Sequence, residues 1–137
     1  MRTTVFKQDG IVHVEYDTAL KATISTWQNL GPHDYMVPSM NAEIDWCKEN
    51  EVRVCIVDTS EATGVPSQEE QNWYADFAYP AFQAAGVKAI ITVIPKSAIS
   101  KLATSQWNKT GSQFEIDFID APTMEEAIRA AKVYISS

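Results

Sequence analysis

The chain has 137 residues, the span of one ordinary domain, and 45% of them are hydrophobic against 21% charged. That balance excludes a disordered chain, and a chain this long buries enough surface to need no disulfide or metal to hold it. The net charge of -7 and the pI near 4.7 oppose phosphate backbones and anionic headgroups at long range, so neither nucleic acid nor a membrane surface is an expected partner.

Residues 4–8 and 11–16 flank Asp9-Gly10, a strong hairpin signal. Val12, Val14 and Tyr16 share one face of the second run, and Ile11, His13 and Glu15 share a wetter one. Residues 20–27 alternate in the same way and predict a third strand, ended by Gly31-Pro32.

The period then changes. Met36, Met40, Ile44 and Cys47 recur at helical steps, with Asp34 or Ser39 as the cap and Pro38 expected in the first turn. The run 52–57, nearly all apolar, reads as a central strand covered on both faces, with Asp58-Thr59-Ser60 at its carboxyl end. Ser67-Gln68-Glu69-Glu70 is a capping box. The helix behind it carries Trp73, Phe77 and Ala81 inward, is expected to kink at Pro80 and stops at Gly86.

Residues 87–94 read as another buried strand, stopped by Pro95, and Ser97 caps a further helix with Ile99 and Leu102 inward. Phe114, Ile116 and Phe118 alternate with acids, as in a strand near an edge. Thr123-x-x-Glu126 opens the last helix, lined by Met124, Ala127, Ile128 and Ala131. The order β-β-β-α-β-α-β-α-β-α predicts one α/β domain over residues 1–137: a mixed sheet with a leading antiparallel hairpin, covered by about four helices.

No apolar run approaches the roughly 18 residues of a membrane span, and the opening Met1–Lys7 has no signal-peptide core. Cys47 and Cys55 lack metal or redox spacing and read as small core residues. The expected compartment is the reducing cytoplasm, and no cofactor is expected.

Several landmarks occur in a telling order. They are Trp27 with Gly31 behind it, Val54-Cys55-Ile56-Val57-Asp58-Thr59, Trp73 followed by Pro80, Gly86-Val87-Lys88-Ala89, and Phe118-Ile119-Asp120 before a helix with Glu126-Ala127. In this the chain resembles the SpoIIAA-like (STAS-type) domains, and more closely the short stand-alone bacterial proteins of that superfamily, near CRAL-TRIO lipid-binding domains in fold. The resemblance spans nearly the whole chain. It implies a non-enzymatic interaction or regulatory module, with a homodimer or protein partner. A small-molecule or lipid-binding domain of the same fold is the alternative. In the antagonists of that superfamily a Ser at the start of the helix after the central strand is phosphorylated. The corresponding residue is Ser67, in Val65-Pro66-Ser67-Gln68.

The residues leave two readings open at each candidate site. Ser67 is a helix cap, or an anion site on a helix start. Asp58, Thr59 and Ser60 form a turn, or hold a small ligand at the strand edge. Trp73, with Tyr74, fills the core or shapes a ligand pocket between the 58–67 segment and the long helix. Trp46 and Trp107 fall off their helices' main stripes and are interface candidates. His13 and His33 lack a paired nucleophile and read as surface residues, His33 in a loop. The basic 77–114 stretch, with Lys96 and Lys101, and the acidic 61–76 stretch read as solvated surfaces or as complementary docking faces.

Overall fold

The computed structural model describes residues 2–29, 33–63, 68–93 and 115–135. Six strands form one sheet in sequential order: β1 (Arg2–Gln8), β2 (Val12–Asp17), β3 (Ala22–Trp27), β4 (Val54–Asp58), β5 (Ala89–Val93) and β6 (Asp117–Ala121). The first three pair antiparallel, and β3 through β6 run parallel. Gly10 turns the opening hairpin at φ 77°, a left-handed conformation that glycine adopts without strain.

Three helices cover the sheet among the described residues: α1 (His33–Glu49), a long α2 (68–84) and α3 (Met124–Ala131). The fourth predicted helix, starting near Ser97, lies outside them, as do Lys96, Lys101, Trp107 and Phe114. Parallel strands added in one direction by right-handed crossovers put their helices on one face. Accordingly α1 and α2 share a core with Val14, Tyr16, Cys55 and Ile90. The other face packs Ile24, Val54, Ile56 and Ile91 against α3, whose Ala127 and Ala131 are fully buried. Those two alanines let the helix axis lie close over β5.

Helix α2 is built in three consecutive parts: α-helical Gln68–Trp73, a π-helical turn Tyr74–Ala78, and α-helical Tyr79–Ala84. The expected kink at Pro80 is instead this π turn. Proline has no N–H and its ring collides with the carbonyl four residues back. The wider turn relieves the collision, and Tyr79 N–H bonds the Tyr74 carbonyl five residues back. The inserted residue also moves the buried stripe. Tyr74, Ala78, Tyr79 and Phe82 face the core, while Trp73 is half-buried and Phe77 is 63% exposed, contrary to the expected Trp73–Phe77 stripe.

Gly86 ends α2 at φ 98°. Val87 N–H bonds the Phe82 carbonyl and Gly86 N–H bonds that of Gln83, both at 3.1 Å, and Phe82 and Val87 join the same core. This is a Schellman cap.

Three local expectations need correction. Pro38 lies in the second turn of α1, not the first, and is exposed. Ser39 caps nothing; it is buried inside the helix and donates to the Met36 carbonyl at 3.0 Å. His33 opens α1 rather than sitting in a loop.

Candidate functional site

On the face shared by α1 and α2, against β4 and β5 and the end of β3, the structure holds a cavity. Its volume is about 30 Å³. Its walls are mainly apolar: Met40 of α1, Val57 of β4 and Ile90 of β5. Four aromatic rings complete them, Trp27 from the end of β3 and Tyr74, Tyr79 and Phe82 from α2. Glu43, Cys55 and Thr92 add polar side chains to the lining, beside the hydroxyls of Tyr74 and Tyr79 and the indole N–H of Trp27.

The π turn decides this arrangement. Five residues apart, Tyr74 and Tyr79 stack with centroids 5.8 Å apart and planes at 18°. Phe118 of β6 closes edge-on against Tyr79 at 5.3 Å. At the cavity's other end Trp27 is held by its indole N–H, which donates to the Ser25 hydroxyl at 3.2 Å.

Glu43 is the chemical centre. Its helical phase sets it on the inward stripe with Met40 and Cys47, and it is buried. The Thr23 hydroxyl donates to Glu43 Oε2 at 2.5 Å. Burial pushes the Glu43 carboxyl above its ordinary 4.5, and hydrogen bonds from Thr23 and Cys55 oppose that rise in part. The Cys55 thiol is pushed well up, first by its contact with Cys47 and then by burial and the nearby Glu43. It is a thiol rather than a nucleophilic thiolate. Burial also raises Tyr74, with Tyr79, Glu70 and Glu43 adding to it, and raises Tyr79. The cavity therefore favours neutral groups while empty.

The candidates read from the sequence fare differently. Asp58 lies in register with Val54 and Ile56, on the opposite face of the sheet, so the cavity is lined by its neighbour Val57. Asp58 accepts from the Ser60 N–H at 3.0 Å and from the Ser60 hydroxyl at 2.7 Å, a self-contained turn. Thr59 is buried and donates to the Val93 carbonyl at 2.7 Å, tying β4 to β5. Trp73 packs on the rim, its ring 5.8 Å from that of Tyr74 and 6.4 Å from that of Phe77. Ser67 lies outside the described residues.

Trp46 is half-buried and packs on Tyr16 at 5.6 Å. His13 shares a contact with Thr4 at 3.2 Å on the open sheet face. Among the described residues no group of three or more His, Cys, Asp or Glu has the arrangement to hold a metal ion, and no helix is long and apolar enough to cross a membrane. No protein-family model, curated protein or solved structure matches this chain.

Tyr74 was read with Trp73 as shaping a pocket and does line it, whereas Glu43 was absent from the candidates read off the sequence. A signal for Glu43 existed: an acid three residues after Met40 and four before Cys47 sits in the phase of the buried stripe. An acid on such a stripe is costly to bury and so points to a site.

Proposed function

We propose that this chain is a small-molecule-binding domain of the SpoIIAA-like type, with its ligand between α1, α2 and the sheet. One observation carries this reading: a single buried carboxyl, Glu43, lies in the wall of an otherwise aromatic and aliphatic cavity. Binding sites combine a mostly apolar lining with a few placed polar groups in this way. Tyr74 opens the π turn and Tyr79 follows it directly, so both rings are carried at the irregular part of α2. Native mass spectrometry of freshly purified protein, with thermal shifts over a metabolite and lipid panel, tests it. A retained ligand or a shift that Val57→Phe removes supports the reading; a clean apo mass and no shift across the panel reject it.

A second reading, a STAS-like interaction module acting as a homodimer, is favoured by Phe77, 63% exposed beside Trp73 on the outer side of α2. Light scattering over a concentration series decides it: Phe77→Asp then abolishes a dimer, and a monomer at every concentration removes the reading.

A further inference from the structure

The chemistry of the cavity narrows the ligand class, resting on the ligand-binding reading above. Among the described lining residues the polar groups are the Glu43 carboxyl, the Cys55 thiol, the Thr92 hydroxyl, the phenols of Tyr74 and Tyr79 and the Trp27 indole N–H, which Ser25 accepts, with no Lys, Arg or His. A carboxylate or phosphate ligand would meet Glu43 with like charge in a low-dielectric wall. A cation meets the reverse. The faces of Trp27, Tyr74, Tyr79 and Phe82 carry negative π density, and Glu43 supplies a full charge once ionised. The net charge of -7 adds long-range attraction for cations.

We propose that the cavity takes a small primary amine, its ammonium on Glu43 and its hydrocarbon among the aromatic rings.

The step has a defined proton balance. The groups that interact with Glu43 are Thr23 from β3, Cys55 from β4 and Tyr74 from α2. None of these is a cation, so the empty site holds Glu43 towards its neutral form. An ammonium displaces that proton: Glu43 carboxylic acid plus ammonium gives the carboxylate–ammonium pair and one proton released to solvent. A neutral ligand of the same shape releases none.

Matched probes on the full chain separate the possibilities: benzylamine, benzyl alcohol, toluene and benzoate. Titration calorimetry in two buffers of different ionisation enthalpy reads the protons released. The expected result is benzylamine binding best, with release approaching one proton. Its affinity tightens with pH by up to about tenfold per unit while Glu43 is protonated in the free protein. Glu43→Gln, which keeps the shape and the hydrogen bonds, weakens benzylamine at least about tenfold and leaves benzyl alcohol unchanged. Benzyl alcohol or toluene binding as tightly as benzylamine, or benzylamine binding without proton release, overturns the amine assignment and leaves the cavity as a ligand site. Failure of every probe, together with a clean apo mass, removes both. Proton release is read on the unaltered protein, so the test stands even where Glu43→Gln misfolds.

Discussion

Thr23 on β3 donates its hydroxyl to the Glu43 carboxyl on α1 at 2.5 Å, and both side chains are buried. This bond joins the sheet to its covering helix at the wall of the cavity.

The first expectation concerns pH. Glu43 has a folded-state pKa raised above its ordinary 4.5, so the folded protein holds a proton that the unfolded chain has released. Stability is then unaffected by this group below 4.5 and falls as pH rises from there towards the folded value. Urea denaturation of the unaltered protein and of Glu43→Gln, compared from pH 4 upwards, shows the variant gaining on the parent as pH rises. A constant difference between the two would mean that Glu43 ionises as freely when folded as when unfolded.

Thr59 is expected to be structural rather than ligand-binding. Its hydroxyl donates to Val93 from a fully buried position. Thr59→Val removes that donor and costs about 1–2 kcal/mol in chemical denaturation. Any ligand found for the cavity binds the variant unchanged, because Thr59 does not line it.

At the start of α3 the Thr123 hydroxyl accepts from the Glu126 N–H at 3.2 Å. Thr123→Ala is expected to cost about 1 kcal/mol, and Thr123→Ser to recover most of it. Equal stability of all three would show that this cap does not hold the helix.

Gly86 sits at φ 98°, with open space where a Cβ would stand. Gly86→Ala therefore has no clash to relieve and tests backbone conformation alone. The left-handed region costs a residue with a Cβ about 1–2 kcal/mol, so the melting temperature falls by several degrees. An unchanged melting temperature would contradict the Schellman cap.

The elements the sequence announced are those written in neighbouring residues. The Asp9-Gly10 hairpin, the alternation of β2, the apolar runs of β4 and β5, the Thr123 cap and the Gly86 stop each depend on contacts within a few positions, and each is present. The parallel direction of the βα units followed as well, while the sequential strand order is seen only in the folded sheet. The sheet nevertheless begins β6 at Asp117, leaving Ile116 as a core residue just ahead of it.

The site depended on distant parts of the chain. Asp58 looked like a strand-end ligand group, but the pleat turned it to the far face and gave its place to Val57. Trp73 looked inward by a 3.6-residue period, but the π turn forced by Pro80 passed that role to Tyr74 and Tyr79. Glu43 finds Thr23 only because β3 lies under α1, twenty residues apart in sequence. Local hydrogen bonding and side-chain period are properties of the sequence itself. Which carboxyl is desolvated, and which rings enclose it, is decided by layers that meet only when the chain is folded.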